Sequence, residues 1–305
     1  RADTTAFAAY QGWMRGVLEN RGASPEAAFA DTLQLVLAQH HFRARPWSEA
    51  LIGEMDLETS LQIYRERFGD FGDFAFIFVG SFDLETMEPL VRRYLGGLPH
   101  GGRQESWRDV GIEPPQGVVE RYVYKGVEAK SQTQMVFHGP FDWDYQNFFT
   151  INAVADVLQI KLREVMREDL SGTYSVGVKA SATHYPKESY SLSISFSCDP
   201  SRAEELSGVV MAQIEALQET GLDIDYVQKI QEMRRRRHEV RLRQNGYWLG
   251  LLDMAHFHGI NPTLALDYFD YVDALDVEVV QQAARRYFNR DNYVRVVLLP
   301  ENYIE

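Results

Sequence analysis

The order of strands and helices after residue 117 restricts the fold more than any other feature of this sequence. Two runs that alternate as strands, "VVERYVYKG" and "SQTQMVFHG", precede a long helical stretch from about Tyr145 to Glu168. Two more strands follow, "TYSVGVKASATHY" and "SYSLSISFSCD", arranged as a hairpin around Pro186. Further helices occupy 223–245, 246–258 and 263–288, and "NYVRVVLLP" is a last strand. Because the strands come in hairpins and the helices in blocks, we predict an α+β fold with a mostly antiparallel sheet and helices on one face.

The first hundred residues form a separate pattern. Residues 1–69 are predicted to be helical, with Ser24 as an N-cap and Pro25 in the first turn of the second helix. The dense apolar run "DFAFIFVG" at 73–80 predicts a buried strand, followed by the helix "DLETMEPLVRRYLGGLP". A polar, Gly- and Pro-rich stretch follows from residue 100, so we place a linker at 105–117, between domains at 1–104 and 118–305.

Composition excludes some partners. The formal net charge of −13 argues against binding to nucleic acid, since that needs Lys and Arg to neutralise phosphates. No apolar run approaches the ~20 residues of a membrane span. The chain begins at Arg1 inside an apparent helix, so we expect a fragment or a processed chain, and the absence of a targeting segment then says little about location.

Most residues with reactive side chains have an ordinary structural explanation. The sequence contains no H-x-x-E-H or H-E-x-x-H motif, and the eight histidines lack metal-ligand spacing, so we expect no metal in this chain. Cys198 has no nearby base that would make it a nucleophile. The basic run "RRRRHEVRLR" from Arg234 is best explained as a solvated helix face, with an electropositive wall facing a peptide or another domain as the alternative.

Arg167 and Tyr174 stand on either side of a predicted Ser-Gly turn between helix and strand. Both can donate hydrogen bonds at neutral pH, and such donors suit the oxyanion of a tetrahedral intermediate. A surface Arg and a half-buried strand Tyr would explain the same residues without any chemistry.

Four segments in order resemble the M16 (pitrilysin/insulysin-type) zinc metallopeptidases, and within them the large bacterial proteases of the PqqL type. "LREVMREDLSGTYSVGV" is similar to the family's Leu-Arg-Glu…Tyr-Ser-Val block, and Arg167 and Tyr174 fall on its Arg and Tyr. The other three segments are "FAFIFVGSFDLETMEPLVRRYLGGLP", "VQKIQEMRRRRHEVRLRQNGYWLGLL" and "AARRYFNRDNYVRVVLLP".

The resemblance implies a zinc-free C-terminal half of such an enzyme, built from M16 peptidase-like (LuxS/MPP-like) domains. Residues 1–104 would end one domain, and 118–305 would form the next. Zinc would be bound by an H-x-x-E-H motif in an N-terminal half, either on the same polypeptide or on a partner subunit. Arg167 and Tyr174 would grip a peptide substrate and polarise its scissile carbonyl. We expect this chain alone to be inactive.

Two alternatives remain open. The chain could belong to a catalytically inactive scaffold or to a peptide-binding partner subunit.

Arg163 lies one helical turn before Arg167, but only Arg167 has the family's spacing to Tyr174, so Arg163 is expected to form a salt bridge. The resemblance to PqqL-type proteins points to the bacterial periplasm or cell envelope.

Overall fold

The structure is a computed structural model that describes residues 2–169, 173 and 175–303, without the side chains of residues 167–169. It divides into two compact units. The first comprises Arg1–Glu19, Trp47–Arg108 and Arg237–Leu266, and the second comprises Asn20–Pro46, Asp109–Arg236 and Asp267–Glu305. The domain boundaries at 105–117 stay a prediction.

The second unit is built around one sheet of five described strands. These are β1 (Val118–Tyr124), β2 (Ser131–Pro140), β3 (Ser175–Thr183), β4 (Ser189–Cys198) and β5 (Tyr293–Leu299). Their order is β1-β5-β2-β4-β3, and every pairing is antiparallel except that of β1 with β5. The predicted hairpin is confirmed, because β3 pairs with β4 without interruption from Ser175 opposite Ser197 to Thr183 opposite Ser189.

Buried and half-buried residues alternate along β4, so one face of this strand lies in the core. Its even-numbered residues, such as Leu192 and Ile194, are fully buried, while its odd-numbered serines are only half-buried on the other face. Three helices supply most of the apolar side chains that meet the buried face. They are α6 (Tyr145–Leu162), α7 (Ala203–Glu219) and α11 (Val277–Tyr287). The α+β prediction with helices on one face is confirmed for this layer.

The opposite face of the sheet carries a helix, α2 (Pro25–Leu37), which the prediction did not foresee. Phe29 of this helix packs on Val294, Val296 and Leu298 of β5. The Ser24 hydroxyl caps this helix by accepting a hydrogen bond from the backbone N–H of Ala27, as predicted. The β4–β3 end of the same face remains lined by the serines.

The first unit has little buried apolar surface. Its helices α4 (Leu57–Phe68) and α5 (Leu84–Tyr94) contain no buried residue. The strand predicted at 73–80 is wrong, because residues 74–79 pair with no described strand, and Phe74, Phe76 and Phe78 are exposed. An apolar run forms a strand only when a partner backbone satisfies its N–H and C=O groups.

One smaller expectation also differs from the structure. The predicted helix at 263–288 is divided into a 3₁₀ turn at Pro262–Ala265, α10 and α11, because Asp276 caps α11 by accepting from the N–H of Val279. The remaining helices are α1 (Thr4–Ala23), α3 (Glu49–Gly53), α8 (Ile224–Arg241), α9 (Asn245–His258) and α10 (Tyr268–Asp273).

Candidate functional site

The segment that carries Arg167 is a π-helical turn, Arg163–Asp169, which continues α6. Such turns are rare and occur frequently at functional sites. The side chain of Arg167 and the whole of Tyr174 lie outside the described residues. Their proximity and their roles therefore stay predictions.

Glu164 fixes this π-helical turn to α8. Its Oε2 atom accepts a hydrogen bond of 2.5 Å from the phenol of Tyr226, and its Oε1 atom lies 3.7 Å from Lys229 Nζ. The ammonium groups of Lys229 and Lys161 lie 5.0 and 5.1 Å from the centre of the Tyr226 ring. Opposite charges, a hydrogen bond and cation–π contacts thus anchor the turn three residues before Arg167. Sequence reasoning missed Glu164 and Tyr226, because their 62-residue separation carries no local signal.

Arg163 does not behave as expected. It is exposed and forms no ion pair with a described residue, so the salt bridge predicted for it is not found within that part of the chain. It remains a useful comparison for Arg167, since both belong to the same turn and carry the same charge.

The strand β3 begins directly after Tyr174, and α6 holds its first half. The side-chain amide of Gln159 donates to the C=O of Val176 at 2.9 Å and accepts from the N–H of Val178 at 2.6 Å. One side chain therefore links α6, which leads into the π-helical turn, to the strand that follows Tyr174. No local pattern predicted this contact, since a lone Gln on a helix usually faces solvent.

The buried histidines do not form a metal site. Across residues 2–169, 173 and 175–303, no group of three His, Cys, Asp or Glu side chains is placed to hold a metal ion. His138 on β2 is buried, and burial lowers the pKa of its imidazole. His184 instead stacks on Trp143, with ring centres 4.8 Å apart and planes 7° from parallel. The described residues thus do not fit zinc, and we assign them no step through a metal.

Cys198 is a core residue. Its thiol is fully buried and lies 3.1 Å from Ser131 Oγ. Burial raises the pKa of this thiol, which keeps it protonated and a poor nucleophile.

The first three arginines of the basic run form ion pairs within the second unit. Arg234 is buried, contacts Asp156 Oδ2 at 2.6 Å and lies over the ring of Phe149. Arg235 pairs with Asp273, and Arg236 pairs with Glu232. The solvated face predicted for this run is therefore wrong at Arg234, where an acidic partner on α6 makes burial possible.

Comparison with known proteins identifies the family. The model described as "Peptidase M16 inactive domain" matches residues 54–234, which is more than half of the chain. This chain belongs to the M16 peptidase family. The match includes α6, the π-helical turn and β3, together with the positions of Arg167 and Tyr174.

Similar M16 proteins are named zinc proteases. The probable zinc protease PqqL of Haemophilus influenzae is 26% identical over 167 residues, which are 54% of this chain and 18% of that protein. The zinc protease PQQL-like of Arabidopsis thaliana is 23% identical over 246 residues, 75% of this chain and 25% of that protein. This chain therefore spans no more than a quarter of the length of either relative.

A solved structure agrees on the fold. The periplasmic protease PqqL from Escherichia coli superposes with a TM-score of 0.83 and 20% identity, over 98% of this chain and 33% of that one. This likeness extends the M16 fold to nearly all of the chain. Within the described residues, no helix combines the length and apolarity needed to cross a bilayer.

Proposed function

We propose that this chain is the C-terminal, zinc-free half of a zinc-dependent endopeptidase. The match of residues 54–234 to the inactive M16 domain carries the proposal, and the zinc-protease names of the two curated relatives support it. The zinc would be bound by an H-x-x-E-H motif in the other half, on the same polypeptide or on a partner subunit. When bound there, the metal would supply an activated water for peptide hydrolysis.

In this proposal, Arg167 and Tyr174 act on the carbonyl of the peptide bond to be cleaved. The Arg167 guanidinium and the Tyr174 phenol each donate a hydrogen bond to the carbonyl oxygen, which gains negative charge as water adds. Donors placed in advance at such an oxygen stabilise the transition state by about 3 kcal/mol each. The anchored π-helical turn supports this role, because Glu164 and Tyr226 hold the backbone next to Arg167.

Kinetics of the complete natural protein test the assignment. We expect Tyr174→Phe and Arg167→Ala each to lower kcat by about a hundredfold, with a smaller change in KM. Arg163→Ala is the matched control and should leave both constants nearly unchanged. Unaltered kinetics in both Arg167→Ala and Tyr174→Phe would refute the assigned roles.

The fragment itself gives a second test. We expect the purified 305-residue chain to cleave no peptide, with or without added zinc. Cleavage by this chain alone that resists a chelator would contradict the proposal. If the complete protein binds peptides but has no zinc ligands, and no partner supplies them, the chain belongs to a scaffold or a peptide-binding subunit instead.

We propose a periplasmic or cell-envelope location, which the periplasmic Escherichia coli structure supports.

A further inference from the structure

The part of the sheet that α2 leaves uncovered has a polar face without acidic residues. Side chains of alternate residues lie on the same face of a strand, so the odd-numbered residues of β3 and β4 share this face with the even-numbered residues of β2. On β4 every one of these residues is a serine, and on β2 and β3 none is a carboxylate. In a chain of net charge −13, this composition makes the face locally favourable for an anion.

One end of this face contains a hollow of about 350 Å³. Its polar lining consists of Lys130, Gln132, Ser175, Ser195 and Ser197, and Gly177 lies among them. These residues come from three neighbouring strands and from the loop before β2, all within the second unit.

Gly177 gives the hollow its depth. Glycine inside a strand weakens the strand, and it marks a bulge, a bend or a place where a ligand approaches the backbone closely. The pairing of β3 with β4 continues without a bulge on both sides of Gly177, and its φ lies outside the left-handed region. A Cβ atom at this position would lie 3.3 Å from Ser195 Oγ and would fill part of the hollow. Backbone geometry does not require this glycine, whereas space for a ligand does.

The neutral groups of the lining are hydrogen-bond donors. The hydroxyls of Ser175, Ser195 and Ser197 and the side-chain amide of Gln132 can each donate to a ligand oxygen. Ser175 Oγ and Ser197 Oγ lie 3.3 Å apart, so one ligand group can contact both. The lining is therefore suited to a group that accepts several hydrogen bonds.

Lys130 supplies the charge. Among the described residues that line the hollow it is the one charged side chain, and its ammonium group forms no ion pair with a described residue. Glu26 attracts Lys130 at longer range, but the Glu26 carboxylate is bound to the Ser24 hydroxyl at 3.0 Å. The ammonium group thus remains available to an anion in the hollow.

We propose that this hollow binds a carboxylate group. One ammonium group matches the single charge of a carboxylate, and the surrounding donors supply charge-assisted hydrogen bonds to its two oxygens. A phosphate group carries up to two charges at neutral pH, which one lysine does not balance. The carboxylate belongs either to an Asp or Glu side chain or to the C-terminus of a peptide, and both sources share this chemistry.

The hollow would select substrates in the proposed protease. Ser175 directly follows Tyr174 in the sequence, and consecutive Cα atoms are ~3.8 Å apart. A peptide whose scissile carbonyl contacts Tyr174 would therefore place a neighbouring side chain, or its C-terminus, within reach of the hollow. This role in substrate selection rests on the proposed function, whereas carboxylate binding itself does not.

Titration of the full 305-residue chain with three tripeptides, followed by the backbone amide signals in NMR spectra, tests the proposal. The peptide acetyl-Ala-Glu-Ala-amide has only a side-chain carboxylate, acetyl-Ala-Ala-Ala has only a C-terminal one, and acetyl-Ala-Gln-Ala-amide has none. We expect at least one acidic peptide to shift the signals of Ser175, Gly177 and Ser197, with a Kd at least about tenfold below that of the neutral peptide.

The acidic peptide that binds more tightly identifies the source of the carboxylate. Equal binding of the acidic and neutral peptides, or shifts confined to other parts of the chain, would overturn the proposal. Inorganic phosphate that shifts the same signals at equal or lower concentration would also overturn it, because the hollow would then be a general anion site.

Two lysine variants provide the matched comparison. Lys130→Gln removes the ammonium group from the hollow, so we expect binding of the acidic peptide to weaken by about tenfold. Lys179→Gln removes the same charge from the same face of β3 but outside the lining, and it should bind like the wild-type chain. Equal weakening by both variants would show that only the net charge matters and would reject the hollow as the site.

Gly177→Val tests the space rather than the charge. The added side chain would fill the hollow while Lys130 stays in place, so acidic and neutral peptides should both bind at least about tenfold more weakly. Unchanged binding of the acidic peptide would contradict the proposal. If Gly177→Val does not fold, the comparison of Lys130→Gln with Lys179→Gln decides.

Kinetics of the complete natural protein separate this proposal from the proposed function. Carboxylate binding together with unchanged kinetics in the Arg167 and Tyr174 variants would reject the protease roles and retain the hollow as a binding site. Reduced kcat in those variants without any binding of the acidic peptides would retain the protease roles and reject the carboxylate site.

Discussion

At the residue scale, two buried arginines show what a charged side chain needs in order to leave the surface. Arg234 is buried against Asp156 and Phe149, whereas Arg236, two residues later, pairs with Glu232 at the surface. Arg295 is likewise buried and bonded to Glu204 and to the phenol of Tyr122. In each buried case, a carboxylate from a distant part of the chain compensates the lost hydration of the guanidinium.

The pair of Arg234 and Asp156 yields a stability prediction. Asp156→Ala should lower the free energy of unfolding by about 3 kcal/mol, because it leaves a buried guanidinium without its carboxylate. The double variant with Arg234→Met should recover much of this loss. Urea denaturation measures both effects, with Glu232→Ala as the control that removes the carboxylate of an exposed pair and should change little. A double variant as unstable as the single one would contradict the explanation.

His138 yields a pH prediction. Burial lowers the pKa of this imidazole, and its Nε2 atom has no hydrogen-bond partner among the described residues. The unfolded chain therefore binds a proton at higher pH than the folded chain does. Stability should be full above about pH 6.5 and decrease as the pH falls toward the lowered folded pKa.

Thermal unfolding from about pH 8 to 5 checks this sign. His138→Gln should make the pH dependence shallower, whereas His100→Gln at an exposed position should leave it unchanged. The pKa of His238 is also lowered, first by burial and then by Arg241, so part of the dependence should remain. A pH profile of His138→Gln identical to that of the wild-type chain would disprove the assignment.

At the element scale, side-chain contacts decide where strands and helices end. The sheet edge β3 is held by an amide from α6, and the π-helical turn is held by a phenol from α8. In the first unit, residues 74–79 have strand-like composition but no described partner strand, and they remain unpaired. The local sequence can favour a strand, but the strand forms only when a partner satisfies its backbone hydrogen bonds.

Gln159 yields the prediction at this scale. Gln159→Ala leaves the C=O of Val176 and the N–H of Val178 without their partner, so we expect a loss of about 1 to 2 kcal/mol in unfolding free energy. The Val178 amide should exchange faster by hydrogen-exchange measurement. Gln146→Ala, at an exposed position of the same helix, is the control and should alter neither quantity. Unchanged exchange at Val178 would show that the contact does not stabilise the strand.

At the scale of the whole molecule, the two units differ in the amount of core that they contain. The second unit buries one continuous apolar cluster between its sheet and α6, α7 and α11. The first unit has few buried residues, such as Met14 and Ile52, and none in α4 or α5. Because stability follows buried apolar surface, it should be unequal along the chain.

Native-state hydrogen exchange checks this inequality. Amides in the middle of α4 and α5 should exchange at least about tenfold faster than those in the middle of α6, since opening them exposes little apolar surface. Addition of a low concentration of urea should widen the difference. Equal protection in the three helices would mean that both units unfold together.

The sequence by itself determined the α+β class, the β3–β4 hairpin, the Ser24 cap and the M16 family, because each depends on local periodicity or on a continuous motif. It also identified Arg167 and Tyr174 as candidates, and their roles stay predictions.

Only the tertiary structure decided what depends on residues far apart in the chain. The burial of Arg234, the anchoring of Glu164 by Tyr226, the capping of β3 by Gln159 and the unpaired state of residues 74–79 all belong to this group. The environment of a polar group depends on the side chains and strands that pack against it in the folded chain. Those partners are far away in the sequence, so no local pattern predicts them.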